Sequence, residues 1–302
     1  MGEEVNASEK DTIRTGINKY LSLVTFSHTI FAMPFAMIGF TMGVIKMDNF
    51  DPMILVKVIL CMVFARSAAM AFNRYLDRDI DAINPRTKQR EIPAGKITER
   101  SALLFVVLNC LAFALTTFFI NELCFFLSPI ALAVILGYSY TKRFTALCHY
   151  VLGVGLGLAP VGAYLAVTAS FDWIPVIIGL TVLTWVAGFD IIYSLQDDAF
   201  DQEHKLHSIP ALVGRKNALR ISTTSHIMSG IGMIITLILM RRDYPQVNLL
   251  GYIGAAIFLA MLIYQHTLVS ENNLKRVNLA FMTTNGIASV VFGSMVILDF
   301  FI

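Results

Sequence analysis

Long apolar runs alternate with short polar ones along almost the whole chain. The apolar runs fall at approximately 20–45, 53–73, 101–120, 123–141, 147–169, 173–194, 217–240, 248–269 and 278–301. Each is close to the length a helix needs to cross a bilayer, about 20 apolar residues. The pattern predicts an all-α polytopic membrane protein, a single bundle of nine transmembrane helices over residues 20–302. A polar cytoplasmic segment, residues 1–19, precedes it. Pro129 falls inside the fourth run, which comes after a very short connection at Asn121-Glu122. Pro34 and Pro160 predict kinks rather than breaks, because neighbouring helices satisfy the freed carbonyls.

Composition agrees with the pattern. The 302 residues are 56% hydrophobic and 15% charged, against roughly 45–50% and 25% for a soluble domain. A net charge of +2 offers no polybasic patch, so no nucleic-acid partner is expected. The four cysteines, Cys61, Cys110, Cys124 and Cys148, lie in or beside apolar runs without a CxxC pair. They read as small buried hydrophobes. The N-terminal segment lacks the charged start and cleavage site of a signal peptide, so the first run is expected to persist as a helix.

The charges orient the bundle. Lys10, Arg14 and Lys19 share one side with Arg86, Lys88, Arg90, Lys96 and Arg100. Lys142, Arg143, Lys205, Arg215, Lys216, Lys275 and Arg276 join them, whereas the opposite side receives chiefly Lys46, Arg241 and Arg242. The positive-inside rule then sets the N-terminus inside and the C-terminus outside.

Two acidic clusters sit on the inner side, each at the end of a long run. The first contains Asn73, Asp77, Asp79 and Asp81, and the second Asp190, Tyr193, Asp197, Asp198 and Asp201. Carboxylates at a membrane protein's helix ends need a partner. A hard divalent cation such as Mg²⁺ takes a few carboxylates plus phosphate oxygens. The clusters therefore point to an enzyme that handles a diphosphate at the membrane surface. With about 100° between successive helical residues, Asn73, Asp77 and Asp81 share one ridge, which Arg66 and Met70 continue inward. Asp190, Tyr193, Asp197 and Asp201 share another, leaving Asp79 and Asp198 facing water. A frayed, solvated helix end explains either cluster alone; two on one side, each leading into a basic loop, favour the metal reading. The loops also echo one another, Ile92-Pro93-Ala94-Gly95-Lys96 beside Ile209-Pro210-Ala211 and Gly214-Arg215. An internal duplication and similar turn chemistry both account for that.

The spacing Asn73-x-x-x-Asp77-x-x-x-Asp81 with Asp197-x-x-x-Asp201 resembles the intramembrane aromatic prenyltransferases of the UbiA superfamily. The resemblance extends through Asn84-Pro85-Arg86-Thr87, Arg90-Glu91-Ile92-Pro93-Ala94-Gly95, Tyr138-Ser139-Tyr140-Thr141-Lys142-Arg143, Asp190-x-x-Tyr193 and Lys205-Leu206-His207-Ser208-Ile209-Pro210. It covers nearly the whole chain and implies the same nine-helix plan. One departure stands out: many members begin the first motif with Asn-Asp, whereas this chain has Asn73-Arg74. Arg74 then either touches the diphosphate or faces water.

The resemblance implies Mg²⁺-dependent transfer of a polyprenyl group from polyprenyl diphosphate to a small aromatic acid, 4-hydroxybenzoate leading. Asn73, Asp77 and Asp81 would hold one ion, and Asp197 and Asp201 the other. Lys142, Arg143, Lys205 and Arg90 would clamp diphosphate oxygens. Asp190 and Tyr193 lie deeper, with Asp190 placed to orient the acceptor or take its proton. A structural carboxylate paired with Arg66 is the plainer reading of Asp190. Arg66, a charge inside the second span, pairs with an Asp or reaches the acceptor carboxylate. The prenyl tail needs an apolar cavity, which Phe26, Phe31, Met33, Phe35 and Phe40 would either line or leave by facing lipid. Gly153, Gly155, Gly157 and Gly162 allow close packing or space for the tail. The histidines, His149 and His207 among them, carry no metal-ligand spacing and receive no role, His207 alone meriting a test.

Two other readings share the pattern. A naphthoate or futalosine-derived acceptor of menaquinone synthesis keeps every residue in place. A transporter would put its ionisable groups near the bilayer midplane on interrupted helices, not at helix ends on one side. The expected location is a bacterial inner membrane with the site toward the cytoplasm.

Overall fold

The computed structural model describes Leu23 and residues 31–302. The N-terminal segment and Phe26 lie outside the described residues. The described chain is helical throughout its spans: α1 (Met33–Met47), α2 (Pro52–Leu76), α3 (Arg78–Ile83), α4 (Glu99–Phe118), α5 (Glu122–Thr141), α6 (Cys148–Thr168), α7 (Trp173–Ser194), α8 (Asp198–Glu203), α9 (Ile209–Asp243), α10 (Leu249–Leu268) and α11 (Thr284–Asp299), the last entered through a π-turn at Leu279–Thr283. Among the described residues eight helices are long and apolar enough to cross a membrane. The fifteen-residue α1 falls within the first predicted run. This is a polytopic all-α membrane protein, as its apolar periodicity requires.

Capping explains where the spans begin. Asp51, Thr98, Asn121, Asp172 and Ser208 each accept a backbone N–H from the first turn of the helix they precede, so the short polar links start helices as well as separate them. Pro129 lies within an unbroken α5. The seventh predicted start moves: α9 begins at Ile209, not 217, and runs through Gly214, whose φ of 75° marks a kink inside the element.

The most buried span is α7, packed between α6 and α9. Trp185 and Phe189 meet Phe31 and Phe35, and Phe258 and Phe292 close the same aromatic cluster. The described aromatics of the first span are therefore core. Phe31, Phe35 and Phe40 neither face lipid nor line a cavity for the tail, because they fill the seams between α1 and its neighbours. Helix α6 comes close to α7 because of two glycines. A Cβ at Gly153 would stand 2.4 Å from the Leu183 carbonyl oxygen, and one at Gly157 2.5 Å from that of Gly179. Small residues let backbones approach where lipid gives no hydrophobic drive.

Candidate active site

Both acidic clusters fold the same way, and neither is the continuous ridge predicted. Helix α2 stops at Leu76, Asp77 adopts φ −89° and ψ 3°, and the six-residue α3 begins. Helix α7 stops at Ser194, Asp197 adopts φ −109° and ψ 3°, and the six-residue α8 begins. The i to i+4 link spans the first break, whereas at the second the Asp197 N–H falls back on the Ser194 carbonyl at 3.0 Å and the link resumes beyond it. The Asp77 N–H donates to the Asn73 carbonyl at 2.9 Å and that of Asp81 to Asp77 at 2.7 Å. The Asp201 N–H likewise donates to the Asp197 carbonyl at 2.8 Å. The break re-aims the side chains beyond it, and Asp198 departs from the straight-helix expectation. It is buried and held by Arg215 at 2.5 and 2.8 Å instead of facing water. That guanidinium keeps the Asp198 carboxyl below the ordinary carboxylate range. Asp79 does face solvent.

Each remaining carboxylate meets a donor. Asp77, buried, takes Lys142 Nζ at 2.5 Å, Arg143 at 3.2 Å and Asn73 Nδ2 at 3.2 Å. Asp81 takes Arg90 at 2.7 and 2.9 Å. Asp201 takes the Ser208 hydroxyl at 2.8 Å. The link between clusters comes from the first loop. Arg86 reaches across to Asp197, its Nε 2.8 Å from Oδ1 and its Nη2 on Oδ2, while Asn84 Nδ2 donates to Asp197 at 3.3 Å. Arg86 also donates to the Tyr193 hydroxyl at 3.2 Å and lies over the Tyr193 ring. The two clusters therefore share one site. Arg86 and Asn84 stand in the sequence motif, yet spacing assigns them no role, because a loop cation is expected from topology alone. Lys205 is exposed, with a φ of 55°.

Asp190 does not pair with Arg66. Its Oδ2 lies 2.7 Å from His149 Nδ1, a histidine that metal-ligand spacing passes over. Arg66 lines a cavity of about 230 Å³ together with Tyr138, Gly155, Ala159 and Gly162. Its Nε, like that of Arg74, is buried without a hydrogen-bond partner among the described residues. Arg74 thus turns its Nε inward rather than to water. The rest of the lining is mostly apolar, Thr117 and Ser128 giving their hydroxyls to backbone carbonyls of their own helices, and the cavity extends along α2 from Ala69 to Val58, a distance of about 16 Å at the helical rise. Its polar end, at Arg66, is the end nearer Asn73 and Asp77.

The donor set suits a hard cation. Asn73, Asp77, Asp81, Asp197 and Asp201 offer only oxygen to a metal. Among the described residues no three His, Cys, Asp or Glu side chains converge to cage an ion alone. Paired carboxylates fit an ion that completes its shell with phosphate oxygens and water. Burial raises the Asp77 carboxyl above its ordinary range against the pull of Lys142, and burial also raises Asp201. A further cation beside either would favour the ionised form.

The sequence profile of the UbiA prenyltransferase family matches residues 32–287. This chain belongs to that family. The 4-hydroxybenzoate octaprenyltransferases of Nitrosomonas europaea and Yersinia enterocolitica are each 31% identical to it, over 82% and 80% of this chain and 82% of theirs. Among solved structures, the apo UbiA homologue from Aeropyrum pernix K1 superposes with a TM-score of 0.79 at 30% identity, covering 90% of this chain and 98% of that one. A UbiA homologue from Archaeoglobus fulgidus, bound to GPP and Mg²⁺, shares the fold with a TM-score of 0.70 at 20% identity, over 94% and 100% of the two chains. The protein is accordingly a membrane-embedded prenyltransferase. Within this UbiA-family frame, the sequence-named Lys142, Arg143 and Arg90 gather on the first cluster and Tyr193 on the second. Arg66 stands apart at the cavity.

Proposed function

We propose that the protein transfers a polyprenyl group from its diphosphate to a small aromatic acid, 4-hydroxybenzoate being the leading acceptor, with Mg²⁺ and at the cytoplasmic face. The observation that carries this reading is the Arg86–Asp197 bridge, which joins the two carboxylate sets around one cationic centre. The A. fulgidus homologue bound to GPP and Mg²⁺ supports the donor and the ion. The names of the curated relatives support the acceptor.

Asn73, Asp77 and Asp81 would hold one ion, Asp197 and Asp201 the other. When bound, Mg²⁺ neutralises charge on the diphosphate as it leaves. Lys142, Arg143, Arg86 and Arg90 each now lean on a carboxylate. Were the carboxylates to hold metal, these cations would take diphosphate oxygens, with Lys205 at the rim. The allylic C–O bond breaks, diphosphate departs with the bonding electrons, and a ring carbon of the acceptor bonds the allylic carbon. The ring then loses a proton, and our reading assigns Asp190 to receive it or to orient the acceptor hydroxyl. Arg66 offers an unpaired donor to the acceptor carboxylate, and the apolar cavity beside it takes prenyl carbons. The excess of Lys and Arg on the loops bearing the site supports a cytoplasmic orientation.

The test is purified protein with a labelled allylic diphosphate and a panel of aromatic acids, products identified by mass. A prenylated hydroxybenzoate formed with release of diphosphate is the expected result. Hydrolysis of the donor without transfer to any aromatic acid would overturn the reading.

A further inference from the structure

We propose that His149 is the positioning residue for Asp190, fixing its orientation through a single ring tautomer and tying it to the start of α9, next to the Ser208 that holds Asp201. The proposal rests on the reading of Asp190 above as the group that faces the acceptor.

His149 is the second residue of α6 and is buried, 2% exposed. Both ring nitrogens are engaged. Nδ1 lies 2.7 Å from Asp190 Oδ2, and Nε2 lies 3.3 Å from the backbone nitrogen of Ile209. A backbone N–H can only donate, so Nε2 must present its lone pair. The neutral ring then carries its proton on Nδ1 and donates it to Asp190. A second, backbone-held partner thereby sets the tautomer, which is how oriented histidines are usually fixed.

The carboxylate is held on one side alone. The Asp190 side chain is 23% exposed against 3% for the histidine behind it. Its Oδ1 takes no hydrogen bond from the described residues, so one oxygen is anchored and the other is available. Ile209 opens α9, and the preceding Ser208 gives its hydroxyl to Asp201 at 2.8 Å. His207 N–H donates to the Lys142 carbonyl at 2.7 Å, and Cys148, next to His149, donates its thiol to the His207 carbonyl at 3.5 Å. The start of α6, the start of α9 and the Lys142 turn are thus laced together. In this arrangement His149 stands between the acceptor-side carboxylate and the diphosphate-side one.

The experiment compares His149→Ala, His149→Asn, Asp190→Asn and the double variant Asp190→Asn/His149→Ala by steady-state kinetics with labelled prenyl diphosphate and hydroxybenzoate. An asparagine amide nitrogen stands where Nδ1 stood and restores the donor to Asp190. His149→Ala should lower kcat by about 10- to 100-fold, the range a hydrogen bond to a charged group commands, while KM for the prenyl diphosphate stays within about twofold. His149→Asn should recover most of the loss, and the double variant should be no slower than Asp190→Asn within about twofold. Unchanged kcat in His149→Ala, a rise in diphosphate KM alone, failure of asparagine to rescue, or multiplying losses in the double variant would each overturn the proposal. If His149→Ala does not accumulate as folded protein, His149→Asn against the shape-filling His149→Phe makes the same comparison. Full activity in Asp190→Asn would instead remove the underlying reading of Asp190, an outcome distinct from a failure at His149.

Discussion

Asp197 and Asp198 are chain neighbours with opposite tasks. Asp197 is the residue at the helix break that Arg86 and Asn84 reach, whereas Asp198 is locked to Arg215 as part of the scaffold. Asp197→Ala should cost about 10²- to 10³-fold in turnover, the scale of removing one member of a charge-stabilising site. Asp198→Asn should keep turnover and lose stability, by about 1 kcal/mol once the partial exposure of Arg215 is discounted, read from thermal unfolding in detergent. Because Arg215 holds the folded Asp198 below its ordinary value, that stability is present above the unfolded pKa of about 4. It is lost as pH falls through the folded value. Arg86→Ala should raise KM for the prenyl diphosphate by about 10-fold or more, and equal kinetics in the variant would contradict its place in the site. The carboxylates themselves were legible from spacing. The fate of Asp198 was not, because a helical wheel assumes an unbroken helix and the chain breaks just before it. Arg86 was equally hidden: its partner lies 111 positions away, beyond any periodicity.

Helix α6 shows how one element serves packing and space at once. Gly153 and Gly157 press against α7, while Gly155 and Gly162 border the cavity, where a Cβ at Gly162 would meet nothing within 4 Å. Gly157→Ala should therefore destabilise the fold by about 1–3 kcal/mol, since the obstacle is backbone, as thermal unfolding would show. Gly162→Leu should fold normally and instead impair turnover of long prenyl donors more than short ones. Equal rates across donor lengths would remove the cavity from tail binding. The spans were readable from apolar runs because only helices satisfy their backbone within lipid. Which face of α6 does which job was not readable, since four glycines look alike until the neighbouring helix is in place. For the same reason the place of the α1 aromatics was hidden: apolar side chains suit lipid, cavity and core alike.

At the scale of the molecule, two long helices end in the same break, an aspartate and a six-residue helix, and each is succeeded by a glycine at positive φ, Gly95 at 70° and Gly214 at 75°. The echo seen in the sequence is thus an echo in structure, and the two halves converge where Arg86 of one meets Asp197 of the other. Two half-sites joined across the bundle suit the two charged phosphates of the donor proposed above. Turnover should stop in EDTA and return with Mg²⁺, and a rate indifferent to chelation would sink the metal reading. The most decisive experiment is Mn²⁺ binding monitored by electron paramagnetic resonance, with a non-cleavable prenyl thiodiphosphate present, in the native protein, Asp77→Asn and Asp197→Asn. Tight ion binding that depends on the diphosphate, and that weakens by about 10-fold or more in either variant, is expected. Affinity unchanged in either variant would show that the two acidic clusters do not form one metal–diphosphate site.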